Sequence, residues 1–389
     1  MKKINLSEPS IEGNEWKYVK ECLDTSWVST AGKYVSIFEN KISQYVNCKY
    51  AISCVNGTSA LQLSLKILNV SFDDEVIVPS LTFIATVNAI IYNNASPVFM
   101  DSDEYFNIDS QKTIDFLKEE TFFKNGFTFN KKTKKKIAAI IPVHIWGNAV
   151  ELDDLIKECK KRNIAVLEDA SESLGTFYIS GKYKGKSTGT IGDMGCLSFN
   201  GNKIITSGGG GMILTDNEKF ASKARYLSTQ AKDDKLRYIH NEVGYNFRLT
   251  NIQAALGLAQ LELLPKFLDR KKEINCFYEK KIKNIIGLKI YQNPKYALNN
   301  YWLNVLKVNG LKYGEKIQDL MNRLISHGIQ IRPIWYLNHL QKPFINFQSY
   351  KIEKAIRLVS NSICLPSSSG LLDEEINFII SKLRKINDR

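Results

Sequence analysis

The stretch YAISCVNGTSALQLSLKIL, residues 50–68, contains the local pattern on which the fold depends. Its first part, YAISCV, is a short β-rich run, and an Asn-Gly pair then leads into TSALQLSLKIL, whose apolar residues recur at helical spacing. We therefore predict a buried strand, a glycine turn and a helix that begins near Thr58 and Ser59. Free amides at such a helix N-terminus bind phosphate. The alternative is that Thr58 or Ser59 serves only as an ordinary helix N-cap.

The alternation of short β-rich runs and helix-like segments extends from residue 49 to about 215. The later segments of the pattern are EVIVPS, TFIATVNAIIYNN, SPVFMD, IAAIIPVH, ELDDLIKECKKRN, IAVLED, MGCLSF and GMILTD. Nearly continuous apolar strands between helices are typical of a mostly parallel sheet that is covered on both faces. The sequence therefore predicts an α/β fold whose ligands bind at the carboxyl ends of the strands.

The regular alternation of strand-like and helix-like segments ends after this region. A long helical stretch is interrupted near Pro265, and separate strand-like and helix-like runs such as YWLNVLKV and KIQDLMNRLISHG follow it. Such segregation is typical of a smaller α+β domain. We therefore predict two domains: an N-terminal arm with a large ligand-binding domain at 1–255, and a small C-terminal domain at 256–389.

Composition narrows the class of protein. The chain has 389 residues, 44% of them hydrophobic, and no run approaches the roughly 18 apolar residues of a membrane span. Seven cysteines and four histidines are scattered without metal-ligand spacing, so neither a zinc site nor a disulfide framework is indicated. We expect a cytoplasmic globular protein with reduced thiols and no metal.

A formal net charge of +13 is a feature of nucleic acid-binding proteins, but the distribution of this charge does not favour that class. The densest cluster, KKTKKK at 131–136, lies in a polar stretch, and most other lysines and arginines lie on amphipathic segments. We interpret these residues as solvated faces. A positive balance also suits an anionic small substrate such as a nucleotide diphosphate.

Polar residues that follow the predicted strands are the candidate ligand-binding residues. GKYKGKS at 181–187 is one residue too short between its glycines for a P-loop, so it is interpreted as a hairpin turn. The run IAVLEDASESLG ends a buried strand with Glu168 and Asp169, and Glu172 follows closely. A carboxylate in such a cleft pairs with a cation such as a protonated pyridine nitrogen, whereas helix capping or cation binding is the plainer alternative.

Lys203 lies in SFNGNKIITSGGGG, residues 198–211, between a strand-like run and four consecutive glycines. Glycines allow the backbone to pass close to a bulky planar group. A lysine amine in a cleft forms a Schiff base with an aldehyde, although a lone lysine is usually a surface charge. A phosphate cradle, a carboxylate and an amine match the three groups of pyridoxal 5′-phosphate (PLP) that a protein must hold.

The whole set of motifs resembles the nucleotide-sugar aminotransferases of the DegT/StrS group over essentially the entire chain. The motifs are NGTSAL, PSLTFIATVNAI, PVHIWGN, EDASESLG, GDMGCLSFNGNKIITSGGGGM, GYNFRLTNIQAALG and GIQIRPIW. The resemblance implies the PLP-dependent fold type I of aspartate aminotransferase, with Lys203 carrying PLP and Asp169 paired with the pyridine nitrogen. The other implied cofactor contacts are Gly57, Thr58 and Ser198 on the phosphate, Phe83 on the ring, and Asn246 reaching the phosphate from the neighbouring subunit of a homodimer.

Two positions depart from the usual pattern of that group. Glu172 stands where much of the family has Gln, and it would need a proton shared with the phenolic oxygen of PLP. Gly209 stands where many members have Glu, so backbone or water must act there instead. Lys203 itself is kept, which argues against the related PLP-dependent sugar dehydratases that carry His at that position.

The motifs SFNGNKIITSGGGGM and EDASESLG are most similar to those of the family branch that aminates C4 of UDP-4-keto-6-deoxy-N-acetylhexosamines. The expected reaction is a transamination in which L-glutamate converts PLP to pyridoxamine 5′-phosphate, and the 4-keto sugar then takes the amine. The alternatives are a GDP- or dTDP-linked 4-keto-6-deoxyhexose as substrate, sugar dehydration, or a regulator with vestigial PLP. The expected substrate contacts are His144, Arg248 and Arg332, for which a buried structural histidine or a salt bridge is the alternative.

Overall fold

The computed structural model describes residues 3–234 and 236–384, so the outermost residues of the two predicted domains, 1–2 and 385–389, lie outside the described residues. The helices are α1 (Glu15–Asp24), α2 (Lys33–Val46), α3 (Gly57–Ile67), α4 (Ile84–Tyr92), α5 (Ser110–Glu119), α6 (Asp153–Lys161), α7 (Glu218–Ser228), α8 (Asn251–Glu262), α9 (Leu264–Ile282), α10 (Gly310–Tyr313), α11 (Ile317–Ser326), α12 (Lys354–Ser360) and α13 (Asp373–Leu383). The strands are β1 (Tyr50–Cys54), β2 (Glu75–Pro79), β3 (Ser96–Met100), β4 (Thr121–Lys124), β5 (Phe127–Asn130), β6 (Ile137–Ile140), β7 (Ala165–Asp169), β8 (Phe177–Tyr178), β9 (Met194–Ser198), β10 (Gly211–Thr215), β11 (Leu288–Ile290), β12 (Ala297–Leu298), β13 (Asn304–Val308), β14 (Arg332–Pro333), β15 (Ser349–Tyr350) and β16 (Ser362–Leu365).

An eight-stranded sheet in the order β1-β10-β9-β7-β6-β2-β3-β15 forms the centre of the fold. β10 runs antiparallel to its neighbours β1 and β9, whereas the other neighbouring strands pair in parallel. The mostly parallel sheet predicted from the sequence is therefore confirmed. Because β1, β2, β7 and β9 run in the same direction, the loops after these four strands meet at one edge of the sheet.

The β1–α3 unit forms where the sequence predicts it. The Asn56 side chain caps the helix by accepting a hydrogen bond from the Ser59 amide at 2.8 Å, so α3 begins at Gly57. Leu61, Leu65 and other apolar residues of α3 are buried in the same core cluster as Val76 and Val78 of β2 and Met194 of β9. Burial of this helical face fixes the N-terminus of α3 at the edge of the sheet.

The hairpin β4–β5 is a feature that the sequence reading did not predict. Its turn contains Asn125 and Gly126, which both adopt positive φ angles, 51° and 81°, as an Asn-Gly hairpin turn requires. The basic cluster 131–136 directly follows this hairpin, and its first four lysine and threonine residues are exposed. Part of the polar stretch therefore forms regular structure, residues 131–134 stay in solvent, and Lys135 and Lys136 form ion pairs with Asp73 and Asp74.

A second, four-stranded antiparallel sheet in the order β11-β13-β16-β14 forms the core of the C-terminal part. Apolar residues of this sheet pack with those of α9, α11 and α13 in a separate core cluster. The N-terminal segment joins this part of the molecule, because Ile4 forms a parallel bridge with Ile329 and is buried in the same cluster. A smaller α+β unit is thus present, but it includes the start of the chain.

The boundary expected near residue 255 falls inside α8. This helix packs against α1 and α2, and Ala254, Ala255 and Phe267 share a core cluster with the large sheet. Ile274 and Tyr278 of α9 belong instead to the C-terminal cluster. The buried contacts of the chain therefore shift from one core to the other within α9, which starts just before Pro265. Because a single helix contacts both cores, no local sequence pattern marks this point.

Three further expectations concern local structure. Residues 181–187 form the turn of a hairpin in which Phe177 pairs with Ser187, as predicted. All seven cysteines carry free thiols. Among the helices of the described residues, none has the length and apolar character needed to cross a bilayer.

Candidate active site

One cleft brings together most of the residues that the sequence singles out. It lies at the carboxyl ends of β1, β2, β7 and β9 and has a volume of about 590 Å³. The predicted residues that line it are Gly57, Thr58, Phe83, Asp169, Glu172, Ser198, Lys203 and Arg332. No group of three or more His, Cys, Asp or Glu residues within 3–234 and 236–384 has the arrangement to hold a metal ion.

A small recess lies between the N-terminus of α3 and two serine hydroxyls. A Cβ atom on Gly57 would lie 3.1 Å from Cβ of Ser198 and 3.4 Å from Oγ of Ser171, so a side chain at this position would fill the recess. Backbone amides at a helix start and neighbouring hydroxyls are the donors that hold a phosphate. Ser171 was not predicted, although its place directly after the Asp169 strand end was an available signal.

Asp169, the last residue of β7, is 4% exposed and lines the floor of the cleft. Oγ1 of Thr86 donates a hydrogen bond to its Oδ2 at 2.7 Å, and the amide of Ser171 donates to its Oδ1 at 3.1 Å. Two donors fix the orientation of the carboxylate. A fixed, buried carboxylate can pair with a cation of a bound ligand.

Lys203 reaches the same cleft and is not a surface charge. Its Nζ lies 4.2 Å from the ring centre of Trp302 and 3.6 Å from Oε1 of Glu172, and 13% of its side chain is exposed. An aromatic face and a carboxylate thus hold the amine from two sides. This amine is available for covalent chemistry and for proton transfer inside the cleft.

The glycines that follow Lys203 let its loop pack against the β1–α3 turn. A Cβ atom on Gly211 would lie 2.4 Å from the carbonyl oxygen of Asn56, which is too close for any side chain. At Gly209 the carbonyl oxygen accepts a hydrogen bond from Nε2 of Gln253 at 3.1 Å, so backbone serves as an acceptor there. The glycines therefore bring the amine and the phosphate recess into one cleft.

Glu172 is a buried acid beside Lys203. Burial raises the pKa of its carboxyl to about 7, against the opposing effects of the Lys203 charge and of the Trp146 amide. That amide donates to Oε2 of Glu172 at 2.9 Å. The carboxyl is therefore close to the balance between its protonated and ionised forms at neutral pH.

Aromatic rings form the other wall of the cleft. Trp146 lies between Trp302 and Trp335, with ring centres 5.9 and 4.4 Å away. Phe83 lies against Trp335 at 5.7 Å and is 53% exposed, so one ring face is open to a ligand. The three tryptophans were not predicted as a wall of the cleft. Trp146 and Trp335 lie in the motifs PVHIWGN and GIQIRPIW, but no local pattern indicates that their rings meet each other and Trp302.

Two of the predicted substrate contacts lie outside the cleft. The His144 side chain is fully buried and hydrogen-bonds to Glu168 at 2.9 Å. Nη1 of Arg248 lies 2.6 Å from Oε1 of Glu39. Neither residue lines the cleft, so the structure favours the buried structural histidine and the salt bridge.

The two remaining predicted contacts, Arg332 and Asn246, lie in different places. Arg332 is exposed and lines the cleft, and no ion pair or hydrogen bond of its side chain is found among the described residues. Asn246 is exposed and forms a β-bridge with Thr229, away from the cleft of its own chain. Its predicted action in a neighbouring subunit stays a prediction.

Comparisons with known proteins agree with this geometry. The model of the DegT/DnrJ/EryC1/StrS aminotransferase family matches residues 9–384. A GDP-perosamine synthase of Escherichia coli O157:H7 is 36% identical over 385 residues, 99% of each chain. A UDP-4-amino-4,6-dideoxy-N-acetyl-β-L-altrosamine transaminase of Campylobacter jejuni is 31% identical over 350 residues, 90% of this chain and 86% of that one.

A similar solved structure supports the fold alone. The PLP form of Spr1654 from Streptococcus pneumoniae has a TM-score of 0.86 and 24% sequence identity, and the match covers 100% of this chain and 99% of that one. The likeness confirms the fold type I architecture predicted from the sequence.

The cleft fits PLP on its own chemistry. The Gly57 recess suits a phosphate, Asp169 suits a protonated ring nitrogen, and the Lys203 amine suits an aldehyde. These residues stand in the order in which the motifs predict them. With the family match over residues 9–384, they show that the chain belongs to the DegT/DnrJ/EryC1/StrS aminotransferase family of PLP-dependent sugar aminotransferases.

Proposed function

We propose that the protein transfers the amino group of L-glutamate to the C4 carbonyl of a nucleotide-linked 4-keto-6-deoxy sugar. The observation that carries the proposal is the meeting of the Lys203 amine, the Asp169 carboxylate and the Gly57 recess in one cleft. Each group has a separate task in amino transfer.

The protein's part in the chemistry is binding, orientation and proton transfer. When bound, PLP supplies an aldehyde for amines and a ring that accepts negative charge. Nζ of Lys203 takes the α proton of glutamate and gives it up again within the same half-reaction, and the second half-reaction uses the same two proton transfers in reverse. The Asp169 carboxylate keeps the ring nitrogen protonated, and its two hydrogen-bond donors hold it in position. The tryptophan wall keeps water away from Nζ.

Arg332 is the proposed anion contact for the substrates. Its guanidinium lies at the cleft in an exposed position, and it has no partner among the described residues. Arg binds carboxylates and phosphates with paired hydrogen bonds. Glutamate offers a carboxylate and the sugar nucleotide offers a diphosphate, so the same side chain can serve both half-reactions.

The sugar is proposed from the motifs and the relatives. The motif SFNGNKIITSGGGGM favours a UDP-4-keto-6-deoxy-N-acetylhexosamine. The E. coli relative with 36% identity is a GDP-perosamine synthase, so a GDP-4-keto-6-deoxyhexose is the second candidate. The two differ in nucleotide base and in the N-acetyl group, and direct assay distinguishes them.

We also propose a homodimer with shared active sites. The segment before Asn246 carries exposed apolar side chains at Leu236, Tyr238 and Val243. Neighbouring exposed apolar residues mark protein interfaces. An interface there would carry Asn246 toward the cleft of a second copy.

The test is an assay with isotope-labelled donor. The protein is incubated with PLP, ¹⁵N-glutamate and either UDP- or GDP-linked 4-keto-6-deoxy sugar, and the products are identified by mass spectrometry. We expect ¹⁵N in one sugar and an equal amount of 2-oxoglutarate. A sugar product without nitrogen and without 2-oxoglutarate would instead identify a dehydratase.

Covalent labelling tests the lysine separately. Borohydride treatment of the PLP-loaded protein should fix the cofactor on the peptide that contains Lys203. Lys203→Ala should lose this label and its turnover, whereas exposed Lys266→Met should keep both. Label on another lysine would reject the assignment.

A further inference from the structure

Glu172 and Lys203 form a close pair of opposite charges inside the cleft. Oε1 of Glu172 lies 3.6 Å from Nζ of Lys203, and both side chains are largely shielded from solvent. The second carboxyl oxygen accepts the Trp146 amide at 2.9 Å, which fixes the carboxyl plane. The two groups are therefore within reach of direct proton exchange after a small side-chain rotation.

Other ionisable groups lie near the Glu172–Lys203 pair. In the part of the chain that the structure describes, Asp169 and the Cys364 thiol interact with the Glu172 charge, and Arg332 lines the same cleft. The negative charge of Asp169 disfavours a second negative charge on Glu172, and burial raises the pKa of the Cys364 thiol, which keeps it neutral. On the far side of Nζ lies the uncharged ring of Trp302. One proton is thus available to two basic groups.

We propose that Glu172 is a positioning residue that shares one proton with Lys203 and keeps the pair neutral as the lysine changes between ammonium and amine. The proton leaves Nζ and binds a carboxyl oxygen of Glu172, so an ammonium and a carboxylate become an amine and a carboxylic acid. No net charge enters or leaves the cleft, and no exchange with bulk water is required. The inference rests on the role of Lys203 in the proposed function.

Glu172→Gln is the matched substitution. A glutamine oxygen can still accept the Trp146 amide, so the local hydrogen bond is kept while the charge and the proton acceptor are lost. Glu75→Gln is the control, because Glu75 is also a buried acid that accepts a hydrogen bond, from Asn130 at 2.7 Å, and it does not line the cleft.

Two readouts should move in opposite directions in Glu172→Gln. The carboxylate stabilises the ammonium form, so its loss increases the reactive amine, and the apoprotein should capture PLP about tenfold faster at pH 8. The glutamate half-reaction should slow about tenfold, because the positive charge that Nζ gains with the α proton is no longer offset by a carboxylate. The ratio of capture rates, Glu172→Gln over wild type, should fall to about one below pH 6, where Glu172 is protonated in wild type.

The experiment measures PLP capture by absorbance in stopped flow from pH 5.5 to 9, and the glutamate half-reaction in single turnover. Glu75→Gln should match wild type in both. A capture ratio near one at every pH, or a slowing of both steps together, would overturn proton sharing. Peptide mapping of the captured PLP distinguishes failure of proton sharing from failure of the proposed function. Label away from Lys203 in wild type would reject the proposed function.

Discussion

Nε2 of His144 lies 2.9 Å from Oε2 of Glu168, and both side chains are fully buried behind the active-site strand. The Val150 amide donates to Nδ1 of the same ring at 3.1 Å, so Nδ1 is an acceptor and Nε2 carries the hydrogen. Backbone amides of the 189–192 turn also donate to the Glu168 carboxyl. Burial alone would raise the pKa of Glu168, but His144 and these amides hold it below its usual value.

This pair predicts a large loss of stability in His144→Ala. The change leaves a carboxylate oxygen and the Val150 amide buried without a partner, and we expect the free energy of unfolding to fall by about 3 kcal/mol. Urea denaturation of the apoprotein measures it. His240→Ala, at an exposed position, should change the value by less than about 0.5 kcal/mol. Equal effects of the two changes would contradict the argument.

Thr86→Val tests the orientation of Asp169. The substitution keeps the side-chain shape but removes the hydroxyl that donates to Oδ2 at 2.7 Å. A hydrogen bond to a charged group contributes about 1.5 kcal/mol or more, so PLP should bind about tenfold more weakly. Fluorescence titration of the apoprotein with PLP measures the affinity. Thr113→Val, which removes a buried hydroxyl from α5, should leave PLP affinity within about twofold.

Lys271→Met tests a buried amine that the reaction does not use. Nζ of Lys271 donates to the carbonyl oxygens of Trp302 and Ser367, and burial lowers its pKa from 10.5 to about 7. Between these two values the unfolded chain binds a proton that the folded chain does not, so this residue makes stability rise with pH. Below pH 7 both states are protonated and the effect on the slope disappears.

The measurement compares the free energy of unfolding at pH 7.5 and 9.5. We expect wild type to gain about 2 kcal/mol more than Lys271→Met over this interval, because other titrating groups cancel in the difference. Lys266→Met, on the exposed side of the same helix, should follow wild type. A parallel pH dependence of wild type and Lys271→Met would show that the amine is not neutral in the folded protein.

The residues that sequence reasoning found lie at the end of a strand or within a few residues of it. Lys203, Asp169 and Gly57 could be predicted to meet because parallel strands bring their carboxyl ends to one edge whatever the packing elsewhere. Glu168 shows the limit of this argument. Adjacent strand residues face opposite sides of the sheet, and strand position alone does not tell which acid faces the cleft; the family resemblance singled out Asp169.

The remaining parts of the site depend on tertiary packing. Trp302 and Trp335 come from the C-terminal part, and no period or spacing links them to Lys203 in the sequence. The change from one core to the other also lacks a local sequence signal, since α8 and α9 form a nearly continuous helical stretch that contacts both cores. Local sequence patterns indicate single helices and strands, whereas hydrophobic cores and the aromatic wall of the cleft form where several of these elements pack together.

The shared-site proposal makes a quantitative prediction about mixed dimers. Lys203→Ala and Asn246→Ala should each be nearly inactive alone. If Asn246 serves the cleft of a second copy, a mixed dimer has one cleft with both defects and one cleft with neither. Random mixing of equal amounts should therefore restore about a quarter of the wild-type activity.

The mixing experiment requires unfolding and refolding the two variants together, or expressing both in one cell with different affinity tags and purifying the mixed species. Wild type taken through the same procedure gives the reference activity. If Asn246 acted on the cleft of its own chain, every cleft would carry one defect and mixing would restore nothing. A monomer in light scattering at assay concentration would reject the shared site directly, because no second copy would be present to supply the amide.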